Sequence, residues 1–112
     1  MKKSLMIIWL LSILLLTGCQ KTTTTTSEID AGDLAKCLWE KWVKMYGTAT
    51  CSHCIAQKKM FGKDFKYINY VDCGVTPEQC QWLRGTPTRE FSNWEKLEWR
   101  QELEVLKEKS GC

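Results

Sequence analysis

The sequence lacks the motifs that mark most catalytic and binding classes. It has no phosphate-cradling glycine loop, no serine-nucleophile constellation, no paired general acid and base and no flavin motif, so we expect no cofactor. Charge is nearly balanced, with 16 Lys and Arg against 13 Asp and Glu, which gives no argument for nucleic acid as a partner. There is no internal repeat, and 112 residues suffice for one domain.

No apolar run is long enough to cross a bilayer as a helix. The longest, Leu5–Leu16, spans 12 residues, whereas a transmembrane helix needs about 20. Because Lys2 and Lys3 precede it, the run predicts a secretory signal. The following Leu16-Thr17-Gly18-Cys19 resembles the lipobox of bacterial lipoproteins, which implies that Cys19 is lipid-modified. The alternative is an ordinary signal peptide with a chance cysteine.

These features predict three segments: a signal peptide over 1–18, a lipidated cysteine with a threonine-rich tether over 19–28, and a folded domain over 29–112. The tether contains five consecutive threonines, Thr22–Thr26, and no apolar residue before Ile29, which is typical of a solvated linker. We therefore expect a monomeric lipoprotein of the cell membrane that faces the periplasm or the cell exterior.

Two cysteines stand at redox spacing in Cys51-Ser52-His53-Cys54. The motif follows an apolar run and precedes a predicted helix, whose dipole favours a thiolate at Cys51. His53 is the only histidine, and its ring could donate a hydrogen bond to the Cys51 sulfur. Since stabilising the reduced form makes a disulfide a stronger oxidant, this arrangement favours a donor of disulfides.

Hydrophobic spacing and turn residues predict an α/β fold. We expect most of the six tryptophans to pack in its core. The predicted helices are Ala31–Lys41, Cys54–Phe61, Pro77–Leu83 and Trp99–Lys109, and the predicted extended segments are Val43–Gly47, Lys66–Cys73, Thr86–Phe91 and Glu95–Glu98.

A Cys-x-x-Cys between strand and helix, with Thr86-Pro87 before a later strand, resembles the thioredoxin superfamily. Several short motifs in the same order resemble, more narrowly, the small thioredoxin-like domain fused to bacterial homologues of vitamin K epoxide reductase, among the DsbA-like disulfide oxidoreductases. They are Lys44-Met45-Tyr46-Gly47, Cys51-x-His53-Cys54-x-x-Gln57-Lys58, Phe65-Lys66-Tyr67 through Val71-Asp72-Cys73, and Ser110-Gly111-Cys112.

The resemblance implies a minimal thioredoxin fold, with a central mixed sheet flanked by helices. It implies that Cys51 is the nucleophile and Cys54 the resolving cysteine. Pro87 falls at the family's cis-proline, and Thr86 would offer main-chain hydrogen bonds to an extended substrate. The implied partners are exported protein thiols or disulfides and a membrane redox partner such as a vitamin K epoxide reductase homologue.

The sequence departs from the family pattern around the site. Thr50 stands where an aromatic residue is usual, Ser52 where proline is usual, and Arg89 where an aromatic commonly follows Pro-Thr. These differences bear on substrate preference more than on the chemistry of the cysteines.

Four further cysteines complete the set. Cys73 and Cys80 bracket a loop with Gly74 and Pro77, and a disulfide between them could be a structural staple or a redox relay. The resemblance implies that Cys37 pairs with Cys112, because both occur in the resembling domains.

Other functions compatible with the residues remain open. The same fold could act as a thiol reductase. Cys51, His53, Cys54 and one more cysteine could form a soft metal site in a metal-binding lipoprotein, although Cys73 and Cys80 are too far apart in sequence for a usual zinc ligand pair. A third possibility is a disulfide-bonded lipoprotein that only binds a partner. This possibility requires that Cys51 and Cys54 are redox-inert.

Overall fold

The structure is a computed structural model that describes residues 28–112. The predicted signal peptide, Cys19 and the threonine run lie outside the described residues. Within 28–112, no helix combines the length and the apolar character needed to cross a bilayer.

Three α-helices and a four-stranded mixed sheet form the domain. The predicted α/β fold is therefore confirmed, and the arrangement is consistent with a minimal thioredoxin-like one. In chain order the elements are α1 (Ala31–Glu40), β1 (Lys44–Gly47), α2 (Ser52–Phe61), a 3₁₀ helix (Gly62–Tyr67), β2 (Asn69–Asp72), a 3₁₀ turn (Pro77–Gln79), β3 (Thr88–Glu90), β4 (Lys96–Glu98) and α3 (Leu103–Ser110).

The sheet has the strand order β2-β1-β3-β4. Strand β1 runs parallel to β2 and antiparallel to β3, which pairs with β4 in the antiparallel sense. One cross-strand row consists of Tyr70, Met45, Arg89 and Leu97. Because side chains alternate between the faces of a strand, this row shares one face, and the Arg89 side chain meets Phe61 of α2 there.

The hydrophobic core lies between that face and the helices. Leu38 of α1, Met45 of β1 and Leu106 of α3 are fully or almost fully buried. Helix α1 begins at a capping side chain, because Asp30 Oδ1 accepts a hydrogen bond of 2.9 Å from the Asp33 N–H. This cap fixes the start of α1, whose Leu34, Ala35 and Leu38 are buried.

Several predicted element boundaries are wrong. The strand predicted from Lys66 begins only at Asn69, because the chain leaving α2 continues as the 3₁₀ helix. Of the helix predicted over Pro77–Leu83, only Pro77–Gln79 is helical, and it forms one 3₁₀ turn inside the loop that the Cys73–Cys80 disulfide closes. The last helix begins at Leu103 and not at Trp99, whose φ of 70° is left-handed and interrupts regular structure.

The prediction that most tryptophans pack in the core is also wrong. All five tryptophans in the described part of the chain are exposed, from 42% to 78%. Trp42, Trp94 and Trp99 have positive φ angles and lie outside the helices and strands, so the backbone geometry puts them in surface turns. Sequence reasoning missed this because large apolar residues normally indicate burial.

Two disulfides are present in the described residues, one between distant parts of the chain and one across a single loop. Cys37 of α1 is bonded to Cys112, which follows α3. Cys73 is bonded to Cys80 across the loop after β2. These are the two pairs that the sequence analysis put forward, and they leave Cys51 and Cys54 as free thiols.

The two disulfides should differ in their contribution to stability. Replacing Cys37 and Cys112 with serine should lower the free energy of unfolding by about 4.5 kcal/mol, because their separation of 75 residues closes a long loop. Replacing Cys73 and Cys80, separated by 7 residues, should lower it by about 2.5 kcal/mol. Urea unfolding of the non-reduced proteins measures both, and a larger loss for the short loop would contradict the prediction.

Candidate active site

Cys51 is the N-cap residue of α2. Its sulfur accepts a hydrogen bond of 3.2 Å from the Cys54 main-chain N–H, the position where Ser or Asp usually caps a helix. The sulfur therefore lies at the positive end of the helix dipole, where negative charge is stabilised. Cys51 is partly exposed, so another protein's sulfur can reach it.

Cys54 lies one turn deeper and has no exposed surface. The strand β1 passes directly against it at Gly47. A Cβ at position 47 would stand 2.9 Å from Cys54 Sγ and 3.0 Å from the Tyr70 hydroxyl oxygen. Glycine is required here because only a residue without a side chain permits this approach of backbone to sulfur.

The two thiols differ in acidity. Burial acts to raise the pKa of Cys51, but hydrogen bonds from the Cys54 thiol, the Thr86 side chain and the main-chain N–H groups of Cys54 and His53 outweigh it and lower that pKa. Burial, followed by the hydrogen bond to Cys51, raises the pKa of Cys54. The arrangement thus has a partly exposed, more acidic thiol and a buried, less acidic one, the difference that a reactive thiolate requires.

The segment before β3 lies beside Cys51. The Thr86–Pro87 peptide bond is cis, and the Cys51 thiol donates to the Thr86 carbonyl oxygen at 3.4 Å. The Pro87 carbonyl accepts a hydrogen bond of 2.7 Å from the Trp99 N–H. The structure therefore brings the predicted substrate-binding residues to the nucleophile.

His53 contributes its main chain and not its ring to the Cys51 sulfur. The predicted imidazole hydrogen bond to Cys51 is not formed among the described residues; the ring lies edge-on to Trp99, with centroids 6.2 Å apart. The reason is local: an N-cap sulfur faces the N–H groups of the first helical turn, while the exposed His53 side chain projects outward. Ser52 is exposed beside it.

The other cysteines are bonded to each other, as described above, and do not join the Cys51–Cys54 pair. The metal-site alternative would need a further cysteine ligand, but Cys73 and Cys80 are held in their disulfide. Over residues 28–112, no group of three or more potential ligand side chains converges. Whether the Cys73–Cys80 disulfide is a staple or a relay stays open.

Sequence reasoning missed three residues of the site. Gly47 is predicted only as the end of a strand, Tyr70 only as a strand residue and Trp99 only as a helix residue. Their positions at the site depend on contacts between elements that are distant in the chain, which local sequence patterns do not show.

Tyr70 completes the buried surroundings of Cys54. Its hydroxyl is buried without a hydrogen-bond partner in the described residues. Burial, together with the negative charges of Asp72, Cys54 and Cys51, raises the pKa of Tyr70 to about 12. Tyr70 is therefore neutral at physiological pH and adds no negative charge beside the sulfurs.

Comparison with known proteins supports a relationship to thiol-disulfide oxidoreductases. A segment of 41 residues, 36% of this chain, is 54% identical to thiol-disulfide oxidoreductase LTO1 of Arabidopsis thaliana. The match covers 11% of that protein, so the chain spans only a small part of its relative's length. No protein-family model matches the chain. The partial homology and the paired cysteines are consistent with a redox function.

We expect alkylation to distinguish the two thiols by pH. Iodoacetamide reacts with thiolates, so its rate with Cys51 should reach half-maximum below pH 9.0, the ordinary thiol pKa, because the hydrogen bonds described above lower the pKa. Cys54 should react later and only above pH 9.0. Mass mapping of timed samples measures both rates. Equal rates, or faster modification of Cys54, would contradict the geometry.

Replacing Gly47 with alanine should disturb the site. The added methyl would overlap Cys54 Sγ and the Tyr70 hydroxyl, which should lower the free energy of unfolding by about 1–3 kcal/mol. Gly85→Ala is the matched control, because its Cβ would meet the exposed Trp99 ring at an ordinary 3.4 Å. Urea unfolding measures both variants, and equal stability of the two would show that the contact at Gly47 is not tight.

Proposed function

We propose that the protein is a membrane-anchored, extracytoplasmic thiol-disulfide oxidoreductase that donates the Cys51–Cys54 disulfide to exported proteins. The observation that carries the proposal is the pairing of a partly exposed N-cap thiol of lowered pKa with a completely buried partner one helical turn away. The partial homology to a thiol-disulfide oxidoreductase supports it.

In this reaction a client thiolate attacks Cys51 Sγ of the oxidised protein. A client–Cys51 disulfide forms, the Cys51–Cys54 bond breaks, and Cys54 leaves with the electron pair as a thiolate. A second client thiolate then attacks the client sulfur of the mixed disulfide and expels the Cys51 thiolate. The client loses two electrons to the pair, and the two protons pass to solvent or to the leaving thiolates.

A ledge beside Cys51 suits an extended client segment. Thr86 presents its main chain next to the sulfur, and Trp99, which is 56% exposed, covers Gly85 and contacts His53. An extended peptide at this ledge could bond to main-chain groups while an apolar side chain packs against Trp99. This supports a polypeptide as the substrate.

The donor direction follows from the acidity of Cys51. Hydrogen bonds that stabilise the Cys51 thiolate favour the reduced state of the pair. The Cys51–Cys54 disulfide is therefore a stronger oxidant than it would be without them. A donor must be re-oxidised, and we assign that step to a membrane redox partner such as a quinone-linked vitamin K epoxide reductase homologue. A lipid on Cys19 and the threonine-rich tether would keep the domain within reach of that partner.

Trapping of clients tests the proposal. Cys54→Ser removes the thiol that can attack Cys51 and expel a bound client, so adducts formed when the Cys51 thiolate attacks a client disulfide should persist until dithiothreitol releases them. Cys51→Ser is the matched control and should give none. With the anchor intact, the adducts should fractionate with membranes, and a further Cys19→Ser change should release them. Adducts that persist in Cys51→Ser, or none in either variant, would contradict the proposal.

Equilibration of the Cys51–Cys54 pair in glutathione buffers tests the direction. We expect a reduction potential closer to that of strongly oxidising superfamily members, about −120 mV, than to that of thioredoxin, about −270 mV. Mass mapping of the alkylated Cys51–Cys54 peptide excludes a contribution from the other disulfides. A potential near that of thioredoxin would instead indicate a thiol reductase.

A further inference from the structure

Aromatic residues collect at the end of the sheet opposite the redox pair. At that end the four strands align through Lys44, Asn69, Glu90 and Lys96. An aromatic residue lies two positions before three of these, namely Trp42, Tyr67 and Trp94. Because neighbouring strands lie about 4.8 Å apart, the three segments enter the sheet within roughly 15 Å of one another. The site lies at the other end of β1, where Gly47 approaches Cys54.

The turns themselves do not explain two of these tryptophans. Trp42 and Trp94 have φ angles of 59° and 66°, in the left-handed region that favours glycine or asparagine. Their side chains are 72% and 78% exposed, so neither ring gains burial in the described domain. Residues 20–27 are all polar and offer no apolar side chain to cover them. Large exposed apolar rings grouped at one end of a domain are typical of a contact surface.

A cavity of about 350 Å³ adds positive charge to this end. It is lined by Lys36, Trp39, Glu40, Lys66 and Tyr67. Both lysine ammonium groups lie 5.0 Å from the centroid of the Tyr67 ring, and the ion pairs of the described residues involve neither lysine. Glu40 offsets one of the two charges. The Trp39 carbonyl accepts a hydrogen bond of 3.0 Å from the Trp42 N–H, which joins the cavity to the sheet end.

We propose that this aromatic end, defined as Trp39, Trp42, Tyr67 and Trp94, binds the headgroup region of an anionic bilayer. Tryptophan and tyrosine favour the boundary between headgroups and acyl chains, because their rings are apolar and their N–H or O–H groups form hydrogen bonds. Lysines beside them are attracted to anionic headgroups. The inference rests on the proposed function, in which a lipid on Cys19 holds the chain at a membrane.

That anchor makes a weak contact sufficient. Residues 20–28 reach at most about 30 Å at ~3.3 Å per residue, so a lipid on Cys19 keeps the domain at a high effective concentration beside the bilayer. With the aromatic end on the membrane, the Cys51–Cys54 pair lies on the side of the domain away from the bilayer. The pair is then open to exported proteins, and release of the contact lets it turn to a membrane redox partner.

Vesicle binding tests the surface without the anchor. The mature chain, residues 19–112 with Cys19→Ser, contains the whole described domain and carries no lipid. We expect it to sediment with vesicles of equal parts phosphatidylglycerol and phosphatidylcholine, and less as salt is added, because salt screens the lysines. Lys36→Gln combined with Lys66→Gln should weaken this binding about fivefold for each lysine, the equivalent of about 1 kcal/mol each.

Tryptophan variants compare the two ends of the domain. Trp39→Ala combined with Trp42→Ala should weaken vesicle binding about tenfold or more, because the rings no longer bury apolar area in the bilayer. Trp99→Ala is the matched control: Trp99 and Trp39 are both 56% exposed, but Trp99 lies beside His53 at the other end. Its replacement should leave vesicle binding unchanged. An equal loss in Trp99→Ala would overturn the proposal.

Brominated lipid locates the contact. Dibromo-phosphatidylcholine in the vesicles should quench the tryptophan fluorescence of the bound chain. Trp39→Phe combined with Trp42→Phe should remove more of this quenching than Trp99→Phe does. These conservative variants repeat the test if the alanine pair does not fold, and the lysine pair tests the surface without changing any ring.

Other occupants of the aromatic end predict different results. A chain that is dimeric without vesicles, and monomeric with Trp39→Ala and Trp42→Ala, would assign this end to a second copy and overturn the proposal. No sedimentation with the anionic vesicles would also overturn it, and would leave a protein partner as the occupant. Failure of the proposed function is seen separately, because a mature chain whose mass shows no lipid on Cys19 refutes the membrane anchor and leaves the vesicle results unchanged.

Discussion

The hydrogen bond from the Cys54 N–H to the Cys51 sulfur is the interaction on which the site depends. It makes one thiol the cap of α2 and, by the geometry of a single helical turn, points the other into the core. The difference in exposure between Cys51 and Cys54 therefore follows from their positions at the start of α2. Stabilisation of the Cys51 thiolate by the helix end needs no charged side chain, and among the described residues the His53 ring packs near Trp99 and not against that sulfur.

The rest of the sheet supports that division. Strand β1 reaches the deeper sulfur only because Gly47 has no side chain, and the segment before β3 reaches the outer sulfur through Thr86. Cys51 thus lies beside the main chain of Thr86, while Cys54 is enclosed by the packed residues around Gly47 and Tyr70. The same asymmetry leaves Cys51 partly exposed and Cys54 without exposed surface.

The sequence predicted the elements that carry strong local signals and missed those set by distant contacts. Helices α1 and α2, strand β1 and the cysteine motif follow from hydrophobic spacing and known chemistry. The segment Lys66–Cys73 is rich in strand-forming residues, yet its first residues belong to the 3₁₀ helix that leaves α2. Trp42, Trp94 and Trp99 combine exposed side chains with positive φ angles, and composition reveals neither. The contact of Gly47 with Cys54 depends on how β1, α2 and β2 pack against one another, which the sequence pattern does not show.

Two disulfides accompany the free Cys51–Cys54 pair in this small domain. The guanidinium of Arg89 and the hydroxyl of Tyr70 are buried without hydrogen-bond partners among residues 28–112, and such unpaired buried groups lower stability. A domain of this size has a limited hydrophobic core with which to offset them. The long loop closed by Cys37 and Cys112 constrains the unfolded chain, so it stabilises the fold without altering the site. Covalent constraint between α1 and the residue after α3 thus offsets part of the stability that the unpaired buried groups cost.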